Sequence, residues 1–404
     1  MSMKEASFVV AKVGSQYRAY RGDSGTIKYR GTDASTVINN ALGALTLNRT
    51  SQEKIVLKGS FTLSSASSLP IILPSWTLLD LRQAKLKLGN AVNKSMFQLA
   101  DASTDITILG GLLDGNSDNN PTGGSGIIDG GAATSNSRTK IIDTKISWFR
   151  EHGIYFGQFS VGWLVRVESF YNNKSGIRVL TDVDRSKLIQ CESYGNNENG
   201  LEVVGMGLTD IGGTYSSNRC HGVLASVSES AFIGTRAEDN NQSASVYSNC
   251  KVQHRYNRFT GCMFRSEGTP LAPWDFEEYD NSVSEPSILS GCRFHGSTGG
   301  IFVYPATIPY MKGNIVHKYS GGAWVEVLYA NSGTATFNGT GAQTTFTIAH
   351  GCSSTPTYCE IGAKSTDAKG DKYWSVDATN ITVTFGTAPP VGTNNVVLSW
   401  KAEV

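Results

Sequence analysis

The sequence is short of the features by which many function classes declare themselves. Charged residues are only 17% of the 404, and 35 Lys and Arg stand against 34 Asp and Glu, so there is no basic field of the kind that nucleic-acid binding needs. No run of eighteen apolar residues occurs, which excludes a membrane-spanning helix of ordinary length. The start, MSMKEASFVV, lacks the basic-then-apolar layout of a secretory signal. The seven Cys are an odd number with no Cys-x-x-Cys and no paired Cys/His spacing, which argues against a dense disulfide framework and a zinc site. Cys352 and Cys359 remain a candidate bridge.

What is present is 44 Gly among abundant Ser, Thr and Asn, a composition for many short strands and tight turns. A repeat organises them. Gly followed by an aliphatic residue occurs at Gly153, Gly176, Gly200 and Gly222, at intervals of 23, 24 and 22 residues, with fainter copies near Ser245 and at Gly300-Ile301. Each copy carries an alternating strand such as LVRVESF or KLIQCESY, an Asn turn, and a second strand such as GIRVL or GLEVV. Strand, turn and strand without helical period describe a parallel coil whose successive turns lie about 4.8 Å apart.

Four residues before each Gly stand Asn172, Asn196 and Asn218, with Asn240 continuing the column. Stacked Asn amides can donate to one neighbouring turn and accept from the other while tolerating a left-handed turn conformation. Cys262 and Cys292, in TGCMF and SGCRF, are expected to stack in the core at the position that Ser169 and Ser193 occupy earlier.

Upstream, Asp33 followed by ASTVINNALGAL predicts a capped amphipathic helix with Val37, Ile38, Ala41, Leu42 and Leu45 on one face, covering the open end of the coil. The segment Ser266 to Glu285 breaks the period and predicts an excursion from it. The expected organisation is an N-terminal strand and capping helix over residues 1–50, the coil over 51–310, a linker over 311–332, and a small β-sandwich over 333–404.

The coil period, the Asn column and the phrases SWTLLDLRQAKLKL and ITILGGLLDGN resemble right-handed parallel β-helix proteins of the pectate-lyase and polygalacturonase superfamily, over about residues 25 to 310. The tail, with TTFTIAHGCSSTPTYCEIG and ATNITVTFGTAPPVGTNNVVLSW, is similar to small β-sandwich modules of phage tail and microbial surface proteins. The resemblance implies an all-β fold and an extracellular, cell-surface or virion-borne protein with a polysaccharide as partner. It implies no particular reaction, because such coils carry hydrolases, lyases, epimerases and inert adhesins. Trimers are common among fibre-like members.

Columns of the repeat are columns in space, so two of them are candidates for chemistry. Glu151, Lys174 and Glu198 stand two residues before the Gly; Tyr155, Arg178 and Glu202 stand two after it and should point outward beside inward Ile154, Ile177 and Leu201. As a hydrolase site, Glu202, Glu151 or Glu198 would supply a carboxylate pair, the version slightly favoured. As a lyase site, Arg178 would neutralise a uronate and Lys174, Tyr155 or His152 would take the proton. The same letters also read as solvent-exposed cross-strand ion pairs. Asp182, with Asp184, is the nearest acid to a cation site, but no ligand cluster supports calcium. A second constellation, Trp274, Asp275, Glu277, Glu278 and Tyr279, is expected to stack on sugars from the excursion. The rival class is a non-catalytic adhesin or virion fibre.

Overall fold

The repeat letters become a register in the computed structural model, which describes residues 6–129, 136–242, 246–254, 256–267, 271–279, 287–298, 301–304, 310–312, 314–320, 323–327, 330–352 and 354–404. The chain divides into two compact units, Met1–Asn314 with Tyr319–Gly322, and Ile315–Lys318 with Ala323–Val404. The first is a right-handed parallel β-helix.

Three strand faces make each turn of the coil. The first face runs through Lys140–Ile142, Trp163–Val165, Lys187–Ile189 and Thr209–Ile211, and the second through Lys145–Ser147, Glu168–Phe170, Glu192–Tyr194 and Thr214–Ser216. The third is a ten-stranded sheet from Ile71–Leu73 to Ile301–Tyr304, including Ile154–Ser160, Ile177–Asp184 and Leu201–Met206. Along it Ile127, Ile154, Ile177, Leu201, Val223, Cys250 and Phe276 align and are fully buried. Alternation alone sends every second side chain into the lumen.

The Asn column is a continuous hydrogen-bonded ladder. Asn172 Nδ2 and the Asn172 N–H both donate to Asn196 Oδ1 at 3.0 Å, and Asn196, Asn218 and Asn240 repeat the pattern onto Asn218, Asn240 and Asn249. The left-handed residue is not the Asn, as expected, but the one before it: Tyr171, Gly195, Ser217 and Asp239 have φ of 54°, 64°, 55° and 51°. The Asn is thereby turned inward to face its counterparts. Ser169 and Ser193 complete the motif by donating to Gly176 O and Gly200 O at 2.8 Å. A Cβ at Gly176 would overlap the Ser193 hydroxyl, so close approach, not positive φ, demands glycine there.

Two expectations are corrected. The Ser169/Ser193 column continues into Tyr215, Ala237, Phe264 and Phe294; Cys262 and Cys292 sit two positions earlier, where their thiols meet Phe232 O and Phe259 O. They are buried and stacked, but as partners of Cys191 and Thr235. The segment after Ser266 is not wholly an excursion, because Phe276–Tyr279 pairs in register with Cys250–Val252 and Ile301–Tyr304. Inserted residues before each of these strands lengthen the period and hide the register. Ser245 and Gly300, the marks of the fainter copies, lie outside the described residues.

Helix Ala34–Gly43 begins at Asp33, whose carboxylate accepts the Thr36 N–H at 2.7 Å, and it buries Val37, Ile38, Ala41 and Leu42, with Leu45 just beyond, against strands that include Glu53–Leu63. The second unit holds two three-stranded antiparallel sheets, Ala330–Gly339, Gly392–Glu403 and Tyr358–Ala363 in one, and Thr345–Ala349, Asn380–Phe385 and Lys372–Val376 in the other. Phe346, Ile348, Ile361, Ile381, Val383, Val396 and Leu398 form their shared core. Cys352 and Cys359 are free thiols.

Replacing Asn196 by Ala removes a buried acceptor of two donors and the amide donor to Ser169 O, Ser193 Oγ and Asn218 Oδ1. Each orphaned buried group costs about 1 to 3 kcal/mol. Asn196→Ala should lower the thermal unfolding midpoint clearly, whereas the exposed neighbour change Asn197→Ala should leave it near that of the parent.

Candidate active site

The third face brings the predicted outward residues into one row. Tyr155, Arg178 and Glu202 are paired Cα to Cα on adjacent strands. Three groups converge on Glu202: the Arg178 guanidinium pairs with it as an ion, Nε 3.0 Å from Oε1, while Ser175 Oγ and Asn199 Nδ2 donate to Oε2 at 3.0 and 3.1 Å. The Glu202 side chain is 15% exposed, enough for a ligand to reach and too little for free rotation. The Arg178 guanidinium lies over the Tyr155 ring, 6.0 Å from its centre.

The second predicted column lies alongside. Lys174 Nζ is 3.2 Å from Glu151 Oε1, an ion pair with both side chains 40% exposed. Glu198 Oε2 is 3.3 Å from the same Ser175 hydroxyl that donates to Glu202. One serine hydroxyl therefore stands between two carboxylates. Since a hydroxyl has one proton, it can donate to only one of them at a time.

A nearly equivalent arrangement occurs farther along the row and supplies a control. Ser248 Oγ donates to Glu277 Oε2 at 2.5 Å and Lys251 Nζ lies 2.6 Å from Glu277 Oε1, repeating Ser175, Arg178 and Glu202. The position of Glu198 is there taken by Pro273, counting back from the aligned Leu201 and Phe276. Only the first copy has the second acid.

His152 is not on the surface. It is buried, its Nδ1 accepts the Ser175 N–H at 3.1 Å, and its ring stacks on Tyr155 at 5.1 Å. It belongs to a second ladder: Ser125 Oγ accepts His152 N–H, Asn199 Oδ1 accepts His221 N–H at 3.0 Å, and His221 Nδ1 accepts Ser248 N–H at 3.0 Å. Side chains here accept from the following turn, the reverse of the Asn ladder. Sequence reading missed it because Ser, His and Asn offer the acceptor with different letters.

The remaining predicted residues do not gather into one site. Asp275 is fully buried at the end of the Asn ladder, where Asn249 Nδ2 donates to it at 3.1 Å, and burial pushes its carboxyl up to about 7. Trp274 is half-buried. Glu277 occupies the outward row and Glu278, facing inward, accepts Ser287 Oγ at 2.7 Å. The side chains of Asp182 and Tyr279 lie outside the described residues. Among the described residues no group of three or more His, Cys, Asp or Glu is placed to hold a metal ion, and no helix is long and apolar enough to cross a membrane.

Comparison with known proteins places the fold. Residues 126–269 match the family model described as a right handed beta helix region. No curated protein matches the chain. Among solved structures it is similar to ORF18 of Geobacillus virus E2, at 12% identity over 94% of this chain and 85% of that one, with a TM-score of 0.53. It is also similar to the A-module of the Azotobacter vinelandii mannuronan C-5 epimerase AlgE4 (14% identity, 69% of this chain, 95% of that one, TM-score 0.47). A third is the tailspike gp49 of the Acinetobacter baumannii bacteriophage Fri1, a capsular polysaccharide depolymerase (11%, 92%, 82%, 0.43). At 12% identity the likeness to ORF18 is one of fold.

Burial lowers His152 to about 3, helped by Arg178 and Lys174, and burial lowers His221 to about 4. Both are neutral when folded and titrate near 6.5 when unfolded, so their contribution is complete above pH 6.5 and is lost as pH falls toward 4 and 3. Asn already fills this column at Asn199, so the double change His152→Asn and His221→Asn should flatten the loss of thermal stability between about pH 6.5 and 4, read as the difference in melting temperature from the parent.

Proposed function

We propose that the third face hydrolyses a glycosidic bond of an extracellular polysaccharide, with Glu202 and Glu198 as the working carboxylates. The observation that carries this is the Ser175 hydroxyl within 3.0 and 3.3 Å of the two acids. Two carboxylates on one hydroxyl stand near the short spacing, roughly 5 to 5.5 Å, of retaining glycosidases rather than the longer one of inverting enzymes.

In this reading Glu202, oriented by Arg178, Ser175 and Asn199, attacks the anomeric carbon. Glu198 gives its proton to the departing glycosidic oxygen, so the carbon–oxygen bond breaks as the ester to Glu202 forms. Glu198 then takes a proton from water, whose oxygen replaces Glu202 and releases the sugar with a new reducing end. Tyr155, half-exposed beside the acids, offers a ring face to the neighbouring sugar. Elimination from a uronate is the weaker reading, because Arg178 and Lys174, the groups that would answer the substrate's charge, already face Glu202 and Glu151.

A panel of polysaccharides assayed for reducing ends and for the ultraviolet absorbance of unsaturated products tests the proposal. Hydrolysis predicts reducing ends without that absorbance. Glu202→Gln and Glu198→Gln should each lower kcat by about 10²- to 10⁴-fold, while Glu151→Gln leaves it within a few-fold. Unsaturated products would replace hydrolysis by elimination, and no product from any polymer would leave the coil as a binder.

A further inference from the structure

The second face carries a surface that the carboxylate pair does not use. Four aromatic rings from three successive turns gather there. Trp148 and Tyr171 lie 5.0 Å apart with their rings tilted by 33°, Phe170 and Tyr194 stack at 5.0 Å with rings 4° from parallel, and Tyr171 meets both Phe170 and Tyr194 edge-on. Trp148 and Tyr171 remain 46% and 44% exposed. Both stand in left-handed conformation, φ 59° and 54°, in the turn position that Gly195 fills one turn later. That conformation favours Gly, Asn or Asp, so a bulky ring there is not what the turn itself requires.

A groove of about 390 Å³ begins two residues away on the same strands, lined by Arg166, Glu168, Gln190, Glu192 and Gly212. Glu168 and Glu192 are Cα partners on adjacent strands, as are Phe170 and Tyr194, so acids and rings run side by side along the coil. The cations nearby are already engaged: Lys145 lies 2.7 Å from Glu168, and Arg166 lies 2.6 Å from Asp143. Glu192 makes no ion pair among the described residues.

From these features we propose that this surface binds a strand of neutral or amino sugars, a holding site distinct from Glu198 and Glu202; the proposal rests on the polysaccharide reading above. Exposed ring faces cover the apolar C–H faces of sugars, while carboxylates and the Gln190 amide take up hydroxyl or ammonium donors in the groove. The unpaired acid excludes polyuronates, since a second row of carboxylates would face Glu192 across the groove. A coil that holds a polymer on one face and cuts it on another keeps the chain near the acids between events.

Affinity electrophoresis through gels containing dextran, galactomannan, glycol chitosan or polygalacturonate tests this, using a Glu202→Gln parent so that nothing is cut. Trp148→Gly with Tyr171→Gly suits the turn, and the milder Trp148→Phe with Tyr171→Phe covers the case in which the first pair does not fold. Retardation by at least one neutral or amino polymer is expected, weakened at least tenfold by the Gly pair and retained by the Phe pair. Retardation by polygalacturonate alone, by no polymer, or equally in parent and Gly pair would overturn the proposal. Binding that persists while the unmodified protein cuts nothing would sink the carboxylate mechanism and leave this surface standing.

Discussion

Hydrogen bonding between the backbones of successive turns is the constraint on which everything else in the coil depends. It fixes register, and register makes neighbours of residues more than twenty positions apart. Tyr155, Arg178 and Glu202 are adjacent only because Ile154, Ile177 and Leu201 are locked together beside them. The interior columns enforce this twice over, once by burying an aliphatic or aromatic row and once through side-chain ladders at the corners. A slip of one residue would turn the buried row outward and break the ladder at every Asn.

The two ladders share the corner between the second and third faces and point opposite ways. In one, each Asn oxygen accepts from the preceding turn; in the other, Ser, His and Asn acceptors serve the following turn. The corner also places Ser175 and Asn199, members of the second column, beside the acids. The groups that orient Glu202 are thus held by the same scaffold that maintains the turn.

Much of this was legible in the letters because the motif has a direct spatial meaning. Ser, Asn and Gly recur where a hydroxyl, an amide and a missing Cβ meet, and outward Tyr155, Arg178 and Glu202 followed from alternation. The second ladder was not legible, since three residue types serve one acceptor role. The placement of Asp275 was obscured by extra residues that broke the count before Phe276–Tyr279. Asp210 also defeats reading by alternation of polarity: it stands in the lumen in line with Leu188 and Phe232, where Tyr215 and Thr235 donate to it and burial pushes its carboxyl up to about 6. A polar letter faces inward when neighbours in space, absent from its stretch of sequence, satisfy it.

The strict in-and-out alternation of the third face separates two kinds of inheritance. Inward residues are tied to the turns above and below, so any one of them can change only in concert with its stack. Outward residues touch one another and the corner column but not the buried row, which leaves the outer row more open to being rewritten while the spine beneath stays as it is. Such a coil can acquire a new target without first solving its folding again.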